Sequence, residues 1–112
     1  MKYLRASIHL LMEEGWCYVK VHRQGNDVVV AICDEELLGA VIECKGLRIP
    51  ISKEFYGGQR VPISQLWEYI GEATIVNAFG NRVVKALAER VKVVLDAAVE
   101  LGGVLHVQLV LK

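Results

Sequence analysis

Cysteine is scarce in this sequence, and its three occurrences do not pair. Cys17, Cys33 and Cys44 are odd in number, and none sits at the short spacing of a zinc or redox motif. That excludes a disulfide framework and points to free thiols in a reducing cytosol. Net charge is also missing. Thirteen basic and thirteen acidic residues cancel, so no whole-molecule field draws the chain to phosphate backbones or anionic lipids, and a dedicated duplex DNA binder is disfavoured. No apolar run exceeds about half a membrane span, which excludes a spanning helix. At the start, Lys2 and Arg5 precede Ile8, Leu10, Leu11 and Met12, but Glu13 and Glu14 follow where a signal peptide needs small residues.

What is abundant is aliphatic. Hydrophobic residues make up 54% of the 112, above the usual share of roughly 45–50%. A chain of this length forms one domain and buries roughly two thirds of its unfolded surface without a covalent staple. Exposed apolar area is costly at roughly 25 cal/mol per Å², so a small domain this apolar favours a homo-oligomer. The expected division is an N-terminal extension over residues 1–15 and a single domain over 16–112. Leu4, Ile8 and Leu11 fall on one side of a helix, which suits a short docking helix in the extension. Met12 is an alternative start.

From Trp16 to Cys33 the pattern has period two, centred on Gly25-Asn26. A type II′ loop there pairs Val21 with Val30 and Val19 with Ile32, putting Cys17, Val19, Val21, Val28, Val30 and Ile32 on a core face. The opposite face, with Trp16, Tyr18, Lys20 and His22, is half polar and needs cover. Asp34 to Gly39 reads as a one-turn helix that Asp34 caps. Strands follow within Ala40–Cys44 and around Leu47–Ile51. A helix begins around Pro62–Ser64, and Thr74 to about Arg90 reads as the longest helix, with Gly80 on its buried side for close packing. Val91 to Leu95 fits helix or strand. A second hairpin turns at Gly102-Gly103, pairing Leu101 with Val104 and Val99 with His106. The expected fold is α+β: one small domain, a mostly antiparallel sheet from two hairpins, and helices packed on one face.

The run Lys53-Glu54-Phe55-Tyr56-Gly57-Gly58 stands out. Two glycines behind an aromatic pair permit φ > 0 and close backbone approach. They lack the remaining residues of a phosphate loop, so a structural turn is the default, with Lys53, Glu54 and Tyr56 beside it as partner contacts. Cys33 precedes Asp34 and Glu35 at a helix start, where thiol pKa can fall, but the carboxylates oppose this and no base is evident. His22 and His106 lie on strand faces away from the core, and no short ligand pair accompanies them, so no metal or cofactor is expected. Asn77 lies near a helix start, where amides satisfy free backbone groups. Arg82, Lys85 and Lys92 form a basic stripe broken by Glu89, either a solvated face or an RNA contact.

Taken together, Cys33 to Gly39, then Phe55-Tyr56-Gly57-Gly58, then Glu72 to Asn77 with Gly80, then Gly102-Gly103-Val104 with His106 and Gln108, resemble the archaeal family called domain of unknown function 424. The resemblance covers roughly Trp16 to Lys112. It implies a small archaeal α/β protein, and it singles out the polar islands as places to look. Two positions depart from it: Leu105 stands where proline is expected and Ala40 where lysine is expected.

The reading that follows is a non-catalytic interaction module for a protein or RNA partner, associated with translation or RNA processing. Its binding candidates are Asp34, Glu35, Tyr56, Gly57, Gly58, Asn77 and His106, with Arg82, Lys85 and Lys92 for RNA. The rival is a small-molecule binder or enzyme using Cys33, Asp34, Tyr56 and His106, which requires those side chains to converge.

Overall fold

A computed structural model describes residues 15–111. The short helix expected within Met1–Gly15 falls outside the described residues.

Strands β1 (Trp16–Gln24) and β2 (Asp27–Asp34) form the first hairpin. Gly25 takes φ 57° at the turn, and Val21 pairs with Val30 and Val19 with Ile32 as the period-two pattern requires. A 3-10 turn over Glu35–Leu37 leads to β3 (Val41–Cys44) and β4 (Leu47–Pro50), which make a separate two-stranded sheet. Helix α1 (Lys53–Tyr56) and β5 (Gln59–Pro62) follow. Next come a 3-10 turn at Ile63–Gln65, α2 (Trp67–Ile70), β6 (Ile75–Phe79), α3 (Asn81–Ala88) and α4 (Val94–Ala97). Strands β7 (Val99–Leu101) and β8 (Val104–Val110) close the chain, and their hairpin has the expected register.

The main sheet has six strands in the order β5-β1-β2-β6-β8-β7. Both hairpins lie in it, but β6 stands between them and runs parallel to β2. The sheet is therefore mixed, not an antiparallel assembly of two hairpins alone. This corrects the expectation of one long helix from Thr74. Ile-Val-Asn-Ala-Phe lacks clean alternation because β6 is central and packed on both faces. Gly80 is not inside a helix either. It precedes α3 at φ 131° and ψ 143°, a conformation open essentially to glycine alone.

The helices are not confined to one face, because α1 lies on the other, where the half-polar surface receives the cover expected of it. On the first face, Val83, Val84 and Leu87 of α3 and Val94 of α4 pack with Val30, Ile32, Val76 and Val107 of the sheet, with Trp67 and Ile70 of α2 at the margin, each buried side chain contributing about 1.5–3 kcal/mol. The second face carries Ala31, Cys33 and Phe79, covered by Tyr56 of α1 and by Ile42 and Ile51 from the β3–β4 region. Residues 91–93 are loop, and α4 takes up the ambiguous segment after them. No helix among the described residues is long and apolar enough to cross a membrane.

Candidate functional site

Residues paired across a sheet project to the same side, so the register lays out the second face in rows. Tyr18, Cys33, Phe79 and His106 form one row; Lys20, Ala31, Asn77 and Gln108 the next; His22, Val29, Ile75 and Val110 the third. The first row is largely under cover. The other two become progressively open toward Gln108 and Val110, both exposed.

Helix α1 is held over this face by contacts that its sequence makes possible. Ser52 caps it by accepting from the Phe55 N–H at 3.1 Å. Lys20 Nζ donates to the Glu54 carbonyl at 2.6 Å. The Phe55 carbonyl can only accept, so His22 Nε2 donates to it across 2.8 Å, and the two rings stack with centroids 4.8 Å apart. Gly57 and Gly58 then let the chain leave against β1. Neither takes positive φ, so that expectation fails, but the close approach is real. A Cβ at Gly58 would lie 2.1 Å from the Val19 carbonyl oxygen.

So anchored, α1 aims Tyr56, 6% exposed, at the centre of the sheet. Its hydroxyl donates to Asn77 Oδ1 at 2.6 Å. His106 Nε2 lies 3.1 Å from the same oxygen and so donates to it as well. This fixes the histidine tautomer with the proton on Nε2. The ring packs on Phe79 with centroids 4.7 Å apart. Tyr56, Asn77 and His106, drawn from three separate islands of sequence, thus form one hydrogen-bonded chain.

The electrostatics keep these groups neutral. Burial pushes the Tyr56 hydroxyl up to about 12, with neighbouring Cys33 adding to the rise. The Cys33 thiol is also pushed up to about 12, first by burial and then by the carboxylates of Asp34 and Glu36. Burial lowers the pKa of His106. Near neutral pH the set therefore offers fixed donors and acceptors, and a Cys33 thiolate nucleophile is excluded.

Asp34 is not part of this chain. Strand alternation turns it to the opposite face, where its buried carboxylate accepts from the backbone N–H groups of Arg82 at 3.1 Å and Val83 at 2.9 Å. It makes no side-chain cap to the turn that follows it. It caps α3 instead, which corrects the sequence expectation. The nearby Gly80 has the space because it has no side chain: a Cβ there would sit 2.3 Å from Asp34 Cγ. Burial raises the Asp34 pKa, while the two N–H groups and the Arg82 guanidinium counteract part of that rise. The rival set of Cys33, Asp34, Tyr56 and His106 is thereby split between two faces.

The remaining candidates have structural partners or stand apart. Glu35 pairs with Arg60, whose guanidinium also lies 4.1 Å over the Trp16 ring. Arg82 is held by Asp34, 3.9 Å from its Nε, and by Glu36. Lys85 is exposed on α3, and Lys92 is exposed in the loop beyond it. The three cations therefore do not share one free helical stripe. No group of three or more His, Cys, Asp or Glu able to hold a metal ion occurs among the described residues. An open depression of about 400 Å³ lies under the β3–β4 turn, lined by Glu43 to Arg48. It is formed by one continuous turn in which Arg48 and Glu43 pair at 2.9 Å, and it contains none of the chain from Tyr56 to His106.

Sequence reasoning left Gln108 out of its candidates, although it lies two residues from His106 on the same strand face. It also left out the anchoring roles of Lys20 and His22, which depend on a helix more than thirty positions away in sequence.

The family model described as "Protein of unknown function (DUF424)" matches residues 21–111. A similar solved structure is that of an uncharacterized conserved protein from Methanopyrus kandleri. It aligns with a TM-score of 0.74 at 30% identity, covering 87% of this chain and 92% of that one. No curated protein matches.

Proposed function

We propose that this chain, which belongs to the DUF424 family, is a non-catalytic interaction module that presents the open half of its sheet, around Asn77 and Gln108, to a protein or RNA partner. The observation that carries this reading is the neutral chain from Tyr56 through Asn77 to His106. Two donors hold one amide in a set orientation beside an uncovered strip of sheet. Preorganised hydrogen-bonding groups beside exposed apolar residues suit recognition. Proton transfer is served poorly, because Tyr56 and Cys33 are both pushed to about 12. An enzyme or small-molecule reading loses its main support with Asp34 on the other face.

A homo-oligomer remains the assembly we favour, since Leu47, Val93, Leu95 and Val99 are each more than half exposed, and the free thiols suit a cytosolic setting. The test is photo-crosslinking in archaeal extract with a reactive residue placed at Gln108, and separately at Lys85 on the far side of the sheet. A discrete adduct from position 108 that is absent from position 85, at both low and high salt, is the expected result. No discrete adduct at 108, or the same adducts at both positions, ends the proposal. Nuclease treatment of the adduct separates RNA from protein.

A further inference from the structure

The main sheet has three stretches of edge: β5, β7, and the part of β8 that β7 leaves uncovered. Which main-chain groups each edge offers follows from strand alternation, since the N–H and C=O of one residue point to one side and those of the next residue to the other. Along β8 the sense is set at both ends. The Leu105 carbonyl accepts from the Gly80 N–H at 2.8 Å, and the Leu111 N–H donates to the Thr74 carbonyl at 2.7 Å. Val107 and Leu109 therefore turn their main-chain groups toward β6, and His106, Gln108 and Val110 turn theirs outward. β7 begins at Val99, opposite His106, so the N–H and C=O of Gln108 and of Val110 have no strand beside them among the described residues.

The other two edges carry residues that discourage pairing. In β5 the Ile63 N–H turns inward to the Gly15 carbonyl, which leaves Arg60 and Pro62 facing out, and Pro62 has no N–H to give. In β7, Val99 and Leu101 face the outward groups of His106 and Val104, so the residue on the free side is Glu100. Two copies meeting at Arg60 or at Glu100 would set like charges opposite each other, which is unfavourable. From Val107 to Leu111 there is neither charge nor proline. The open length also sets a register. Ala98, extended and leading into Val99, takes the place opposite Val107, so an added antiparallel strand reaches in only as far as Gln108. A two-fold axis at Val110 fits that length. It lets each Val110 exchange both main-chain bonds with its counterpart and brings the two 72% exposed valine side chains together on one face. On the opposite face it sets the 40% exposed Leu111 beside the second copy's Leu109. The edge is complementary to itself in hydrogen bonds, in lack of charge and in apolar side chains.

We infer that the open edge of β8 is where this chain associates with itself: two copies pair antiparallel about a two-fold axis at Val110, joining two six-stranded sheets into one continuous sheet. This rests on the homo-oligomer reading and adds to it the surface and the symmetry.

The test is analytical ultracentrifugation of the full chain from about 1 μM to about 1 mM, with amide hydrogen exchange followed by NMR at both ends of that range. A monomer–dimer equilibrium is expected in which the Gln108 and Val110 amides gain protection with concentration, while those of Val107 and Leu109, bonded to β6, are protected throughout. Val110→Pro removes the outward N–H and spares the bonds to β6, so the variant folds and dimerises about tenfold more weakly or worse. Val110→Lys sets two cations face to face across the axis and weakens the dimer in the same way, which keeps the test decisive should the proline variant fail to fold. A dimer whose Gln108 and Val110 amides exchange freely, or whose affinity is unchanged in a folded Val110 variant, overturns the β8 edge and leaves the homo-oligomer reading standing. A chain that stays monomeric to about 1 mM ends both.

Discussion

Asp34 and Gly80 divide one volume between them. The carboxylate of Asp34 occupies the space that a side chain at position 80 would need, 2.3 Å from an ideal Cβ to Cγ. Gly80 also donates its N–H to the Leu105 carbonyl at 2.8 Å, and Asn81 Oδ1 accepts from the Leu105 N–H at 2.8 Å. The start of α3 is thus tied to β2 on one side and to β8 on the other.

Gly80→Ala combines a φ that L residues avoid with a clash against a buried carboxylate, so it destabilises by about 3 kcal/mol or more. Urea denaturation of the single variants and of the double variant with Asp34→Ala checks the cause. Asp34→Ala costs less in the Gly80→Ala background than in the parent, because one mutation relieves part of the strain made by the other. Simple additivity would show that the two sites do not share space.

The raised pKa of Asp34 predicts a pH dependence of known sign. Between the ordinary value of 3.8 and the higher folded-state pKa, the folded chain binds a proton that the unfolded chain has lost, so this contribution to stability falls as pH rises through that window. Below 3.8 it is fully present, and above the folded-state pKa it is flat. Measuring stability against pH for the parent minus Asp34→Asn isolates the group. A difference that grows in favour of the parent as pH rises through this window would contradict the assignment.

Tyr56→Phe removes the donor at 2.6 Å from Asn77 while keeping the ring packed beneath α1. A cost of about 1 kcal/mol in urea denaturation is expected, the typical contribution of a hydrogen bond to a half-buried partner. Asn77 keeps the His106 bond, so the loss stays near that figure. A change near zero would mean that the Tyr56 hydroxyl is satisfied elsewhere.

Iodoacetamide at pH 8 distinguishes the three thiols. Cys33 is fully buried and its pKa is pushed up to about 12, and Cys17 is fully buried as well. Cys44 is partly exposed, so mass spectrometry of briefly treated native protein finds label there first. Equal labelling of Cys33 would show that its burial is not maintained in solution.

Both hairpins were legible because local rules sufficed. Alternation from Trp16 to Cys33 around Gly25-Asn26, and Gly102-Gly103 between Leu101 and Val104, set partners that are near in sequence. Ile75–Phe79 was misread as helix for the opposite reason. A central strand shows the same apolar run that a buried helix does, and its partners Val30 and Leu109 lie far away in the chain. The candidate site was legible in part. Tyr56, Asn77 and His106 stood out as residues and Gln108 as part of the last polar island, while the helix that Asp34 caps did not.

By itself, the sequence determined the alternation of faces, the two hairpin registers, the free thiols and the lack of any net field, since each depends on residue type or on neighbours along the chain. Only the tertiary structure decided that Asp34 caps a helix 48 positions away, that Gly80 is the gap this requires, and that one asparagine gathers a tyrosine and a histidine from distant segments. Insertion of a parallel strand between the hairpins brings those groups together. Its position is selected by burial of both its faces at once, which no local pattern in Ile75–Phe79 can encode.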